Sequence, residues 1–383
     1  MANKAVIAYL VRPAEGGIKS HLLTLLSGLD RTRFEPIVIC PPDTSLRREV
    51  EQAGCKAIPL ELVGELNPAK DLRAVVRLRR ILRRVKPDIL HIHSAKAGLV
   101  GRLAAASPRH PRIVLTMHSF VFDERVGWLK RVIVAWVERR LSRLTDRIIA
   151  VSRALRDELV SQMGLSPDKI TVIPNGITFR EIHKSGGSGL RVGTVSRLAP
   201  QKGVDNFIRA AALVRKKFPS AKFTIIGDGP FREALEALAD ELGVRDSVEF
   251  LGFQPDAPSI VAAFDVFALA STWETFGLTL VEALSQQVPV VAFRVGGIPE
   301  IIDGSTTGLL AEPGDVEDLA AKICRLLDDK ELAARIARDG CEFVRSRFSS
   351  DRMVTETQNL YASLVSQADT QAPSRAGQER TCE

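Results

Sequence analysis

Apolar and polar residues alternate along this chain with two different periods. Short, nearly unbroken apolar runs occur at residues 6–10, 37–40, 89–92, 113–116 and 148–151. Runs of that length and character predict strands buried on both faces. Between them the period changes to 3.6. In the first such stretch Ile18, Leu22, Leu25, Leu26 and Leu29 share one helical face. Strand and helix taking turns in this way predicts an α/β domain with a parallel sheet covered on both sides. Residues 183–189 then read His-Lys-Ser-Gly-Gly-Ser-Gly, the composition of a flexible linker. The alternation restarts beyond it, with strands predicted at 190–195, 223–226, 248–251, 266–270 and 290–293 and helices at 207–218 and 231–242. After Pro313 helical patterns continue to about residue 365. Residues 367–383 are polar, with few apolar positions, and are expected to form a disordered tail. The expected division is a domain at 1–181 and a second at 190–347.

The length of 383 residues agrees with two domains. No apolar run reaches the roughly 18 residues needed to span a bilayer. The first apolar run is too short for a secretory leader, and Arg12 and Glu15 follow it closely. A cytoplasmic location is therefore expected. The five cysteines are scattered, with no C-x-x-C pair, and read as reduced thiols rather than disulfides or a zinc site.

Charge changes the picture more than composition does. The net charge of +7 conceals an uneven split. Residues 1–180 hold 31 Lys/Arg against 17 Asp/Glu, and the remainder hold 22 against 29. A basic first half and an acidic second half suggest different partners for the two domains. Seven cations between Arg73 and Lys86 crowd one predicted helix. Trp128, Lys130, Arg131, Trp136 and Arg140 form a second cationic and aromatic stretch. Each reads either as a solvated face or as a surface for anionic lipid. Nucleic acid is not expected as a partner, because aromatics are 5% and no nucleic-acid motif occurs.

Several segments carry residues suited to a phosphorylated ligand. Gly16 and Gly17 follow the first strand and open the first helix, where free backbone N–H groups form an anion site. Arg197 and Lys202 flank a loop between a strand and a helix in the second half; two cations there suit a diphosphate. Each segment, taken alone, also reads as a plain turn. In the stretch Ser-Thr-Trp-Glu274-Thr-Phe276-Gly277-Leu278-Thr279-Leu-Val-Glu282, seven residues separate the carboxylates. Gly277 and Leu278 begin an apolar helix, and Glu282 sits where it can accept hydrogen bonds from ribose hydroxyls. Gly227-Asp-Gly229-Pro230 and Gly296-Gly297-Ile-Pro299-Glu300 are further turns that either line a cleft or only turn the chain. In the first half, His118 follows a strand, where wound sheets bind ligands. His91 and His93 alternate with Ile92, and only one of the two is expected to face the cleft.

Taken together these segments resemble family 4 of the retaining glycosyltransferases, over nearly the whole chain. The E-x7-E motif at 274–282, with its inner Phe-Gly-Leu, and the Ser-Arg-Leu…Lys-Gly stretch at 196–203 carry most of the resemblance. Gly16-Gly17, Pro174-Asn175-Gly176 and Gly296-Gly297 with Glu300 add to it. Thr275 stands where many members have glycine. The resemblance implies the GT-B fold: two Rossmann-like domains with parallel sheets facing across a cleft, and a last helix at 350–366 returning to the first domain. It implies a nucleotide-sugar donor, most readily a UDP-sugar. Arg197 and Lys202 would bind the diphosphate, Glu282 the ribose and Glu274 the sugar. Phe276, Gly277, Leu278 and Thr279 would line the donor site. Gly16 and Gly17 would lie by the diphosphate, with His118 by the transferred sugar.

The segment His93-Ser94-Ala-Lys96, with His118, resembles members that extend lipid-linked oligosaccharides for capsule or exopolysaccharide. His93, Ser94 and Lys96 become candidate acceptor residues, and an anionic membrane surface a candidate partner. The protein would then sit peripherally on the inner face of the plasma membrane. No D-x-D triplet occurs, so no metal or other cofactor is expected, the basic pair taking the metal's place. A sugar-nucleotide epimerase of the same fold and a non-catalytic nucleotide-sugar-binding subunit are the alternative readings.

Overall fold

A computed structural model describes residues 4–13, 16–62, 67–107, 111–119, 127–180 and 190–371, with side chains described to residue 367. The predicted linker core at 181–189, Glu15 and residues 372–383 of the expected tail lie outside the described residues. The chain forms two units. The first comprises residues 1–149, 162–173 and 353–383, and the second residues 150–161 and 174–352.

In the first unit the elements run β1 (Ala5–Val11), α1 (Gly17–Gly28), β2 (Phe34–Cys40), α2 (Ser45–Gln52), β3 (Lys56–Pro59), α3 (Pro68–Val85), β4 (Ile89–His93), α4 (Ala95–Ala105), β5 (Arg112–Met117), α5 (Trp128–Ser142) and β6 (Arg147–Ala150). After α6 (Arg153–Ser161), which belongs to the second unit, comes β7 (Ile170–Val172). The strand order is β3-β2-β1-β4-β5-β6-β7. β1 lies parallel between β2 and β4, and its last five residues are buried. Local chemistry marks the ends of α3. The Asn67 side chain accepts from Lys70 N–H, Pro68 sits at the first turn, and Lys86 closes the helix in left-handed geometry.

The second unit continues with β8 (Arg191–Val195), α7 (Val204–Lys217), β9 (Lys222–Ile226), α8 (Arg232–Glu241), β10 (Val248–Gly252), α9 (Ala257–Val261), β11 (Val266–Leu269), α10 (Leu278–Ser285), β12 (Val290–Phe293), β13 (Leu309–Ala311), α11 (Val316–Asp328) and α12 (Lys330–Arg347). Its parallel sheet has the order β10-β9-β8-β11-β12-β13. α13 (Ser350–Gln371) follows, and from Met353 it belongs to the first unit. There Met353, Val354, Tyr361 and Leu364 join the core formed by β1, β2 and α1. The helix continues through residues 367–371, which the sequence reading assigned to a disordered tail. Their few apolar positions removed the periodic signal, but nothing in them breaks a helix.

Both sheets reverse their strand order beside the first strand of the unit: β1 against β4, and β8 against β11. Ligands of wound sheets bind outside the carboxyl ends of the strands at that reversal. The chemistry-bearing segments of the sequence leave β1, β4, β8 and β11 at those ends. Three strands escaped the sequence reading: β3, β7 and β13, each at a sheet edge and only three or four residues long. Edge strands are short and can be half-exposed, so they lack the long apolar run that marks a central strand.

Candidate functional site

In the second unit, the loop after β8 and the loop after β11 close on each other. The Gln201 carbonyl accepts from Thr272 N–H at 3.1 Å and Trp273 N–H at 3.3 Å. Gly203 makes that approach feasible. Its φ is +59°, and a Cβ there would lie 1.9 Å from the Ala270 carbonyl oxygen. Across this seam Lys202 Nζ donates to Glu274 Oε2 at 2.5 Å. Two residues 72 positions apart therefore form one charge pair, which neither motif foretold. Arg197 is exposed and, among the described residues, its guanidinium has no partner.

The Gly296-Gly297 turn supports the same loop from below. Gly297 N–H donates to the Glu274 carbonyl at 3.0 Å, and a Cβ at Gly297 would meet the Thr275 carbonyl oxygen at 2.3 Å. Phe276 is buried and packs edge-on against Phe348 at 5.3 Å. Its ring thus anchors the loop and offers no face to a ligand. Gly277, with φ +99°, caps α10, so the amides of Leu278 and Thr279 open the helix without intrahelical acceptors. Glu300 has a different task from lining a cleft. Its carboxylate oxygens accept from the N–H groups of Arg153 and Ala154, at 3.0 and 2.9 Å, and so cap α6. That contact helps to explain why residues 150–161 belong to the second unit.

Glu282 lies in the second turn of α10, half-buried, and no donor hydrogen-bonds its carboxylate among the described residues. Burial pushes its pKa up to about 7, opposed by the nearby Arg180 charge. Ribose hydroxyls donating to the carboxylate, as the resemblance implies, would favour its ionised form. Nucleotide affinity should therefore rise as pH increases through about 7, with proton release on binding. The same raised pKa makes this group's contribution to stability fall as pH climbs from its ordinary 4.5 through about 7. In Glu282→Gln both dependences should flatten, read by nucleotide titration and melting curves between pH 6 and 8. Unchanged pH dependence in the variant would assign the ionisation elsewhere.

The first unit gathers histidines at the ends of β4 and β5. His91 and His93 are both wholly buried, with ring centroids 4.3 Å apart. The expectation that only one faces the ligand side is corrected here. Residues i and i+2 of a strand share a face, and Ile92 takes the other. The two rings nevertheless do different things. His91 is hydrogen-bonded to Tyr361 of α13 at 2.5 Å and to Thr116 of β5 at 2.6 Å, so it ties three elements together. His93 Nδ1 lies 3.0 Å from His118 Nε2, while its own Nε2 is buried without a partner. His21 on α1, which the sequence reading passed over, packs against both: ring centroids are 5.5 Å from His93 and 4.7 Å from His118. Its position one helical turn after Gly17 was the available signal. Burial and the neighbouring imidazoles hold His91, His93 and His118 well below the usual histidine pKa, so all three are neutral at pH 7.

Ser94 caps α4 at φ +85°, a strained backbone for a residue with a side chain, and its hydroxyl is buried without a partner. Lys96 donates to Asp71 of α3 at 2.5 Å, with both side chains largely buried. That ion pair joins α3 to α4. Gly16, at φ +67°, precedes α1, and a Cβ at either Gly16 or Gly17 would meet open space.

The second unit thus brings a cationic loop, a carboxylate pair and a helix start together at its sheet reversal. Residues 177–342 match the family model described as glycosyl transferases group 1, and residues 15–180 that of glycosyltransferase family 4. The chain belongs to glycosyltransferase family 4. It is 27% identical over 381 residues to the Escherichia coli UDP-Gal:α-D-GlcNAc-diphosphoundecaprenol α-1,3-galactosyltransferase, covering 95% of this chain and 98% of that one. An uncharacterised glycosyltransferase of Methanocaldococcus jannaschii is 30% identical over 297 residues, covering 72% and 75%. Anabaena HepE, solved in complex with UDP and glucose, superposes with a TM-score of 0.82 at 25% identity, covering 94% of this chain and all of that one. The protein is a nucleotide-sugar glycosyltransferase of GT-B fold.

Proposed function

We propose that the protein transfers a sugar from a UDP-sugar to a saccharide carried on a lipid diphosphate, with retention of anomeric configuration and without a divalent metal. The observation that carries the reading is the seam joining Lys202 to Glu274 beside the start of α10. There Arg197, Lys202 and the Leu278 and Thr279 amides meet the negative charge that develops on the departing diphosphate. Glu282 holds the ribose and Glu274 the transferred sugar, and His118 keeps the role that the resemblance implies for it, a contact with that sugar. The UDP-galactose donor and diphosphoundecaprenol-linked acceptor of the Escherichia coli relative, and the UDP bound by HepE, support a UDP donor, and the first of them a lipid-linked acceptor. The test is transfer of labelled sugar from a panel of nucleotide sugars to a synthetic undecaprenyl-diphosphate saccharide, with and without EDTA. The proposal expects activity with a uridine donor, insensitive to chelation and giving the retained anomer. Activity abolished by EDTA, or an inverted product, contradicts it.

The same reading places the first unit against an anionic bilayer. α3, α4 and α5 are neighbours: Arg79 of α3 donates to the Leu103 carbonyl, and Arg102 of α4 pairs with Glu138 of α5. Opposite its packed face, α5 exposes Leu129, Val132, Ile133 and Trp136, and at its first position Trp128, with Arg140 over the Trp136 ring at 5.2 Å. Leu72 and Val76 are exposed on α3 among its arginines. Apolar side chains ringed by cations match an interfacial membrane surface. Among the described residues no helix is long and apolar enough to cross one. Vesicles containing phosphatidylglycerol should retain the protein at low salt, and neutral vesicles should not. Ile133→Glu with Trp136→Glu should weaken retention at least ~10-fold, through lost apolar burial and added negative charge. Equal binding to both vesicle types, or unchanged binding by the variant, contradicts the surface.

A further inference from the structure

The histidines of the first unit have a chemistry that sugar transfer does not require. His21 comes from α1, His93 from the last position of β4, and His118 from the residue after β5. One ring nitrogen from each can be chosen so that all three lie within 4.8 Å of one another. Three elements remote in sequence thus bring three imidazoles together. The three rings sit at a sheet reversal, in the kind of crevice where wound folds hold ligands.

We propose that His21, His93 and His118 form a binding site for a divalent transition-metal ion of the zinc class. Zinc binds imidazole nitrogen at about 2.0–2.1 Å, and tetrahedral geometry then places ligand atoms about 3.3 Å apart. His93 Nδ1 and His118 Nε2 already stand 3.0 Å apart, and binding would draw the His21 nitrogen in from within the 4.8 Å that encloses the three. Neutral imidazole is the ligating form, so binding needs no net loss of protons from these rings, only the tautomer that turns a lone pair to the ion. Imidazole ligands favour zinc, copper or nickel, whereas magnesium and calcium require oxygen donors. Three protein ligands leave a fourth position open for water or a substrate oxygen.

Occupancy has a functional consequence, which rests on the proposed contact of His118 with the transferred sugar. An ion held by His118 withdraws that ring from the sugar, so zinc inhibits transfer and a chelator restores it. Metal binding itself is independent of that reading, and the two are tested separately.

The experiment is equilibrium dialysis of the full chain against zinc, with zinc-edge X-ray absorption on the loaded protein. The expected result is one zinc per chain with a first shell of imidazole nitrogen. His21→Gln and His93→Gln should each weaken binding by at least ~10-fold. Folding of both variants is checked by circular dichroism, and the absorption spectrum of the unaltered protein decides the matter should either misfold. A sulfur-dominated shell would assign the zinc to cysteines and overturn the site. So would affinity unchanged in both variants, equal competition by magnesium, or no bound zinc at all. Zinc bound through imidazole with transfer unaffected would keep the metal site and refute the contact of His118 with the sugar.

Discussion

Lys202→Ala should lower turnover by about 10²–10³-fold, the loss seen when one preorganised donor to a developing anion is removed. Two effects act together. The variant removes the cation proposed to hold the diphosphate, and it strips Glu274 of its partner at 2.5 Å. An unpaired carboxylate then stands beside the anionic ligand, so UDP affinity falls as well. Glu274→Gln makes the opposite prediction for binding. With the carboxylate gone, Lys202 is released to the phosphates, and UDP should bind as tightly as before or tighter. Turnover nevertheless collapses, because the group proposed to position the sugar is lost. The pair therefore separates binding from chemistry. Titration calorimetry with UDP and single-turnover rates with the sugar nucleotide read the two quantities. Parallel loss of UDP affinity in both variants would show that Glu274 does not restrain Lys202.

The second large effect concerns stability. Arg102, on α4, has no solvent exposure. Its Nε donates to the Gly98 carbonyl and its Nη2 to Glu138 Oε1, each at 2.8 Å, while Nη1 has no partner. Glu138→Ala leaves a guanidinium buried with its charge uncompensated, at a cost of about 3–5 kcal/mol. Replacing both members by apolar residues, Arg102→Met with Glu138→Leu, should cost far less or even stabilise, since both desolvation penalties disappear. Because the chain has two units, unfolding need not be a single transition. Trp128 and Trp136 lie on α5 and Trp273 in the second unit, so denaturation in a Trp273→Phe background reports the first unit alone. A loss below about 1 kcal/mol in Glu138→Ala would mean that water reaches Arg102.

The central strands were legible in the sequence because burial on both faces leaves an apolar run that no loop imitates. The donor motifs were legible for a related reason. A strand end, a turn and a helix start leave glycines and charges at fixed spacing. What escaped was whatever depends on two distant segments meeting. Lys202 and Glu274 were each singled out, but the bond between them follows from the approach of Gly203 to Ala270. Lys96 was singled out without Asp71, its ion-pair partner 25 positions away on another helix. Glu300 belongs to a recognisable turn, yet it caps a helix that begins 147 positions earlier. His21 carried no motif of its own and gains meaning only beside His93 and His118. The buried Arg102 looked like one more cation in a basic half, because a charge pattern does not show which arginine turns inward.

The most direct test is a crystal structure of the protein with an intact or non-hydrolysable UDP-sugar. The account predicts the diphosphate between Arg197, Lys202 and the first amides of α10, the ribose hydroxyls on Glu282, and Lys202 drawn from Glu274 toward phosphate. A diphosphate bound away from both the cations and that helix start, with the Lys202–Glu274 bond undisturbed, would contradict it.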